Sequence, residues 1–373
     1  ALVGSGLLSY VDTNGKLLST DRTWEVIKNY NIGLDFGFLD NRLTGTAELF
    51  WKKCNNMLID VTYPGTLGDK APTANRGSFK ANGWEGTINW SDKIGEISYH
   101  LGGTFTYTTN KLVDNGGDAV IKSGVVSNRE GYPLNSVFGL KYCGKIQTQD
   151  QLDKYINQYA NGNNNIAMPG NLRLGDNMYE DVNKDGKLTE ADYVYLGTDD
   201  PKVSFSFNAG LSWKGFDVSV IFQGAGKRTV WRGGENNQKG KNDNWRIPMM
   251  SWYNNSTNQS VGNVWSAETP NAHYPTYTHQ TQINLYNYIC SSWSVEDGAY
   301  LRLKNVTLGY TFPANVLSKT KFISYARIYV SGADLWENSK IKDGWDPEAS
   351  RKVETFGRYP FTRNLTVGLN LTF

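Results

Sequence analysis

Apolar and polar residues alternate without a break along the last ten residues of the chain. Leu365, Val367, Leu369, Leu371 and Phe373 are apolar, and Asn364, Thr366, Gly368, Asn370 and Thr372 between them are small or polar. A period of two describes a strand with one greasy and one wet face. The stretch has about the 9–11 residues that a tilted strand needs to cross a bilayer. Eight further stretches carry the same pattern: Ile32–Phe38, Leu43–Trp51 (with Phe50 out of phase), Trp84–Trp90, Ile97–Thr108, Val203–Trp213, Phe216–Phe222, Leu301–Phe312 and Tyr325–Asp334. In Leu301–Phe312 the phase slips between Leu303 and Val306, which predicts a β-bulge near Lys304–Asn305.

The connections between these stretches fall into two classes. Asp40–Arg42, Asp92–Gly95, Lys214–Gly215 and Pro313–Ser324 are short. The segments 52–83, 109–202, 224–299 and 335–363 are long and loop-like, as are residues 1–30. Short and long connections strictly alternate. A soluble β-sandwich has no reason to send all its long loops to one end, whereas a transmembrane barrel has short periplasmic turns and long extracellular loops. Phe38, Trp90, Trp213, Phe216, Phe312 and Phe373 all fall at the short-turn rim, as an interfacial aromatic girdle requires. The pattern therefore predicts an all-β fold, a transmembrane antiparallel β-barrel with long extracellular loops. Nine strands would leave two open edges, which lipid does not tolerate. The expectation is that residues 1–373 are the C-terminal part of a larger barrel, unless a further strand lies near Ser136–Tyr142. A short helix is expected over Gln149–Tyr159.

Composition narrows the partners. A net charge of +2 without Lys/Arg clusters gives no reason to expect nucleic acid. No run of about 18 apolar residues predicts a transmembrane helix, and no basic stretch followed by an apolar core suggests a signal peptide at the start. Cys54, Cys143 and Cys290 form neither a disulfide framework nor a zinc pattern. Catalytic motifs are absent, and His100, His273 and His279 are scattered, so no enzyme is expected.

The sharpest local motif is Asp181–Asp192, DVNKDGKLTEAD, within a loop spanning residues 175–197. Asp181, Asn183 and Asp185 place oxygen donors at positions 1, 3 and 5. Gly186 permits the sharp turn, Lys187 offers its carbonyl, Thr189 takes the water-mediated position and Asp192 closes position 12. This spacing matches a calcium loop with Asp in place of the usual Glu, so structural Ca²⁺ is expected. The long loops also hold Trp231, Trp245, Trp252, Trp265 and Tyr277 beside amide and carboxylate side chains. Aromatic faces of this kind suit the C–H faces of sugars, and these five are the candidate substrate-binding residues; packing of the loops against each other is the alternative use.

Several blocks resemble the SusC/RagA family of TonB-dependent outer-membrane transporters. They are Tyr30–Gly45, Gly175–Asp192, Ser294–Pro313, Arg327–Trp336 and Gly344–Glu348. The resemblance implies the last part of a 22-stranded barrel of the plugged-lumen kind, in the outer membrane of a Gram-negative cell. It implies import of oligosaccharides, or of peptides in RagA-like members, with a SusD-like surface lipoprotein as partner and TonB supplying energy. The plug domain, the TonB-contacting segment and the early strands have no counterpart in these residues. Glu48, Glu85, His100, Asn208 and Asp217 would then line the lumen or meet the plug. A secreted calcium-binding, glycan-binding β protein is the remaining alternative.

Overall fold

Alternation that buries neither face in a core still has to satisfy the backbone N–H and C=O groups, and here the seven inner strands do so by pairing on both sides. The structure is a computed structural model and describes residues 22–60, 73–115, 126–159, 170–231, 262–278, 280–320, 322–341, 346–348 and 362–373. Its frame is one antiparallel sheet of nine strands. They are β1 (Val26–Phe38), β2 (Leu43–Asp60), β3 (Thr73–Ile94), β4 (Ile97–Asn115), β5 (Val203–Trp213), β6 (Phe216–Ala225), β7 (Tyr300–Thr311), β8 (Tyr325–Ser339) and β9 (Asn364–Thr372). Each strand pairs with its sequence neighbours, and β1 and β9 form the two edges. No described helix is long and apolar enough to cross a membrane.

The short turns are built for tight reversal. Lys214 and Gly215 both take positive φ, 47° and 88°, the geometry that lets a two-residue turn follow the right-handed twist of its strands. The expected bulge is present: Ile221 of β6 pairs with Asn305 and Phe222 with Leu303, which leaves Lys304 as the extra residue. Phe50, out of phase in the sequence, lies on the polar face over Gly83. A Cβ there would come within 2.7 Å of the Phe50 ring and 2.1 Å of the Tyr107 carbonyl.

The apolar face is continuous and exposed: Leu34, Ile88, Leu308 and Leu369 are all more than half accessible. An uncovered patch of this extent marks an interaction surface. Two rows of aromatics bound it. Phe38, Trp90, Trp213, Phe216 and Phe373 stand at the short-turn end. Tyr30 pairs with Trp51 and Trp84 with Tyr107 at the far end. With a rise of ~3.3 Å per residue and a tilt of ~40°, the band between the rows is about 20 Å tall, close to the ~25 Å apolar band of outer-membrane barrels.

Beyond that band the sequence expectation is corrected. Residues 52–60, 73–83 and 109–115, read as loop, continue β2, β3 and β4, so β3 runs for 22 residues. Polar and charged residues stand on both faces of these extensions, and Cys54, Ile59 and Leu112 are buried there without a regular spacing, which erases the two-residue period. Register shifts at Cys54/Met57 and at Ser78/Phe79 then reverse whatever phase remains. The segment Ser136–Tyr142 does not add a strand to the sheet. Ser136–Gly139 pairs with Val126–Ser127 and Val194–Thr198, and Tyr142–Lys145 pairs with Asn177–Tyr179. The helix expected at Gln149–Tyr159, here α1, is present with those bounds.

Candidate functional site: a hydroxyl-lined wall beneath a loop module

The polar face of the sheet is a ladder of short hydroxyl side chains. Thr46 pairs with Thr87 at 2.8 Å, Thr104 with Ser206 at 2.7 Å and Thr307 with Ser331 at 2.9 Å. Cross-strand hydroxyl pairs satisfy one another while leaving lone pairs free for a polar guest. Glycines keep the surface shallow: a Cβ at Gly102 would meet the amides of Asn208 and Asn89 below 3 Å, and one at Gly210 would strike the His100 ring. Charge gathers at the short-turn end, around a cavity of 680 Å³ lined by Arg42, Asp92, His100 and Asp217 among others. Asp217 accepts from Arg327 Nε at 3.0 Å, and Arg42 reaches Asp92 at 3.4 Å.

At the opposite end the two longest insertions fold into one module. Leu140, Ile146, Leu152, Tyr155, Tyr179 and Leu188 of the first pack with Tyr286 of the second. The seam is closed by polar groups that leave little unsatisfied, as burial requires. The Asn177 backbone N–H donates to Asn287 Oδ1 at 2.8 Å, and Asn177 Nδ2 donates to the Asn287 carbonyl at 2.7 Å. Asn287 Nδ2 donates to Asp176 Oδ1 at 2.8 Å. Tyr155 and Tyr286 share a hydroxyl hydrogen bond of 2.7 Å, and Leu140 N–H donates to the Cys290 carbonyl at 2.9 Å. The second insertion brings to this seam the short helix α2, Thr281–Asn287, in a segment expected as loop.

Burial raises the Asp176 carboxyl above its ordinary value, despite hydrogen bonds from Asn287 and Arg173 that pull it down. Burial also lifts the Tyr159 hydroxyl to about 12. The sign for Asp176 follows from linkage: an acid whose folded pKa is raised is penalised while charged, and the penalty disappears as pH falls through that raised value towards the unfolded one, about 3.9. The expected result is that wild-type stability rises relative to Asp176→Asn as pH falls to about 4 and levels off below it. Parallel denaturant titrations of the two proteins between pH 7 and 3 measure this difference.

The calcium-loop residues are brought together, and backbone N–H groups hold their carboxylates. Asp181 Oδ2 accepts from Gly186 N at 2.8 Å and its Oδ1 from Asp185 N at 3.2 Å. Asp185 Oδ1 accepts from Lys187 N at 2.9 Å, and Asn183 Oδ1 from Asp185 N at 3.0 Å. Asp192, fully buried, accepts from Val182 N at 2.9 Å and Thr189 N at 2.8 Å. Gly186 takes φ 79° and Lys184 φ 61°, the reversal the motif requires. Among the described residues, no three His, Cys, Asp or Glu side chains stand as a metal-holding group.

The loop aromatics do not share one place. Trp231 is buried with Val137 and Cys290, so packing covers its ring. Trp265 donates from Nε1 to Gln147 Oε1 at 2.8 Å, tying the two insertions together. Tyr277 is exposed. Trp245, Trp252 and His279 lie outside the described residues. A separate aromatic group forms around Trp293, which stacks on His273 with centroids 5.3 Å apart and meets Tyr288 edge-on at 5.4 Å.

The sequence also gave little sign of a charged latch at the top of the wall. Arg302, 1% exposed, pairs with Glu337, with Asp346 at 2.7 Å and with Glu348 at 3.2 Å. Lys304, the bulged residue, binds Glu348 at 3.0 Å and Asp334 at 3.3 Å. Arg228 donates from Nη1 to the Pro347 carbonyl at 2.9 Å and pairs with Asp199. Three positions of the last long connection, 346–348, are thereby fixed to β7, β8 and the bases of both insertions. The signal that could have found it was a pair of basic residues, Arg302 and Lys304, inside a strand otherwise apolar or neutral.

Known proteins resemble the chain along nearly its whole length. TonB-dependent receptor P26 of Formosa agariphila is 27% identical over 97% of this chain and 36% of its own length. TonB-dependent receptor SusC of Bacteroides thetaiotaomicron is 23% identical over 98% of this chain and 33% of its own. The fold is that of a solved RagAB peptide importer in the open-open state, with a TM-score of 0.70, 20% identity, and coverage of 95% of this chain and 35% of that one. No protein-family model matches. Homologues of the chain are thus TonB-dependent receptors, and the chain spans about a third of the length of the curated relatives it matches.

Proposed function

We propose that these residues form the C-terminal wall and outer loops of an outer-membrane importer of oligosaccharides, working with a SusD-like surface lipoprotein and energised through TonB. The observation that carries this reading is the contrast between the two faces of one sheet: an exposed apolar band bounded by two aromatic rows, against a wall rich in hydroxyl groups on which Glu48 and Glu85 are the cross-strand carboxylates at mid-height. The apolar band suits hydrocarbon. Free lone pairs and donors at mid-height suit neutral, hydroxyl-rich guests, which ask for many modest hydrogen bonds and no counter-charge. No catalytic role is assigned.

A peptide cargo is the second reading, and the likeness to a RagAB peptide importer favours it. Competition decides between them. Cells bearing the full-length protein should take up labelled oligosaccharides in a TonB-dependent way, and a mixed peptide pool should leave that uptake unchanged. Uptake of the peptide pool alone would assign the cargo to the second reading.

Calcium is part of the same proposal, supported by the spacing of Asp181, Asn183, Asp185 and Asp192 with Gly186 in the reversed turn. The remaining lone pairs of the carboxylates, together with Asn183 Oδ1 and the Lys187 carbonyl, are the hard oxygen donors such an ion takes. Adding Ca²⁺ to chelator-treated protein should protect the loop around Asp181 from proteolysis, with a midpoint of about 10⁻⁴–10⁻³ M. Asp185→Ala should abolish that protection. A cleavage pattern indifferent to Ca²⁺ would remove the metal from the account.

A further inference from the structure

The outer, apolar face changes character one step above its upper aromatic row. Lys28, Lys53, Lys80 and Lys111 stand there on four successive strands. The register pairs Lys28 with Lys53, Lys53 with Lys80 and Lys80 with Lys111, so the four form a single cross-strand line. Each shares the parity of the apolar positions on its own strand: Lys28 with Tyr30 and Ile32, Lys53 with Trp51 and Leu49, Lys80 with Trp84, Lys111 with Tyr107. All four therefore project from the outer face, and all four are exposed. Among the described residues none of them has an ion-pair or hydrogen-bond partner. A nearby acid, Glu25, directs its carboxylate to the backbone N–H of Leu58 at 2.8 Å.

Like charges directly opposite each other weaken a sheet, so four in succession do nothing for the strands that carry them. At a strand spacing of ~4.8 Å the line is about 14 Å long. It lies two residues, ~6–7 Å along the strand, beyond Tyr30 and Trp51, and four residues, ~13 Å, beyond Trp84 and Tyr107, so it climbs from the aromatic belt into the headgroup layer. Lysine stems can lie along the apolar surface below while the ammonium groups reach the polar layer, and a compact ammonium is an effective point-charge ligand for phosphate.

We infer that Lys28, Lys53, Lys80 and Lys111 form a binding row for the phosphate groups of an outer-leaflet lipid, whose acyl chains run down the face past Ile32, Leu49 and Trp84. The inference rests on the membrane reading above and adds to it a defined lipid site. Charge complementarity and continuity with the apolar band select this occupant.

The test uses the full-length protein in nanodiscs that contain either a phosphorylated outer-leaflet glycolipid or its dephosphorylated form, with retained lipid counted by native mass spectrometry. Wild type and the combined variant Lys28→Arg, Lys53→Arg, Lys80→Arg and Lys111→Arg should retain the phosphorylated lipid only. Combined replacement of the same four lysines by Ser should weaken retention about fivefold for each lysine removed, with insertion into the disc unchanged. Equal retention by the inserted Ser variant would overturn the lipid site and leave the membrane reading standing. Displacement of the lipid by millimolar inorganic phosphate would overturn it too, by assigning the row to the free ion. Failure of wild type to insert at all would defeat both.

Discussion

Replacing Arg302 with Met should destabilise the outer end of the wall by about 3 kcal/mol, the low end of the cost of breaking a buried ion pair. The guanidinium is almost fully buried and pairs with Glu337, Asp346 and Glu348. Removing it leaves Glu337, Asp346 and Glu348 gathered around the vacated position, with Lys304 on Glu348 as the remaining counter-charge shown, and so with repulsion among them and poor hydration. The loss stays at the low end because the acids keep partial access to water, side-chain exposures being 17%, 36% and 24%. Denaturant unfolding of the detergent-solubilised protein should show the loss. Adding Glu337→Gln to Arg302→Met should recover part of it, since one uncompensated charge is removed. Backbone hydrogen exchange over residues 346–348 should accelerate in the single variant, because their anchorage to β7 is reduced to the Lys304–Glu348 pair. Unchanged exchange there would mean that the latch does not hold the last connection.

The second large effect concerns the two faces of β3. Ile88 is 54% exposed on the apolar face, between Gly45 and Gly103 in the register. Its neighbour Thr87 points to the polar face and hydrogen-bonds Thr46. Ile88→Arg should cost about 2–4 kcal/mol, as charges on the lipid face do at mid-height, whereas a charge facing the lumen alters selectivity more than stability. Thr87→Arg should therefore fold with at most the loss of one hydroxyl pair, roughly 1 kcal/mol. Comparing the two in a refolding assay into lipid vesicles measures the asymmetry. Equal costs would mean that the faces do not differ in solvent.

How much was legible in the sequence follows from the same asymmetry. Where one face meets apolar surroundings, the two-residue period is enforced, and Leu43–Trp51, Ile97–Thr108 and Val203–Trp213 could be read directly. The bulge at Lys304 was readable for the same reason, as a slip of phase between Leu303 and Val306. Above the band no such constraint acts, so Lys52–Asp60 and Thr73–Gly83 carry strand geometry without strand pattern. The loop module was hidden for a different reason. Its core joins Tyr155 and Tyr179 to Tyr286, and its polar seam joins Asn177 to Asn287, 110 residues away; no local period records such pairings. The turn at Asp181–Asp192 was legible because its requirements are local: short acceptors on alternate residues and a glycine where φ must be positive. Trp231 was visible as an aromatic, but only packing against Val137 and Cys290 reveals that its ring is covered.

The central claim is that adjacent residues on one strand meet hydrocarbon and water in turn. Nitroxide labels at Val367 and Thr366 of the full-length protein in lipid vesicles, with the native cysteines replaced, test it most directly. The account predicts that Val367 relaxes with oxygen dissolved in the bilayer and Thr366 with a water-soluble nickel chelate, and that the two exchange roles again at Gly368 and Leu369. Labels at Val367 and Thr366 that respond alike to both reagents would contradict it.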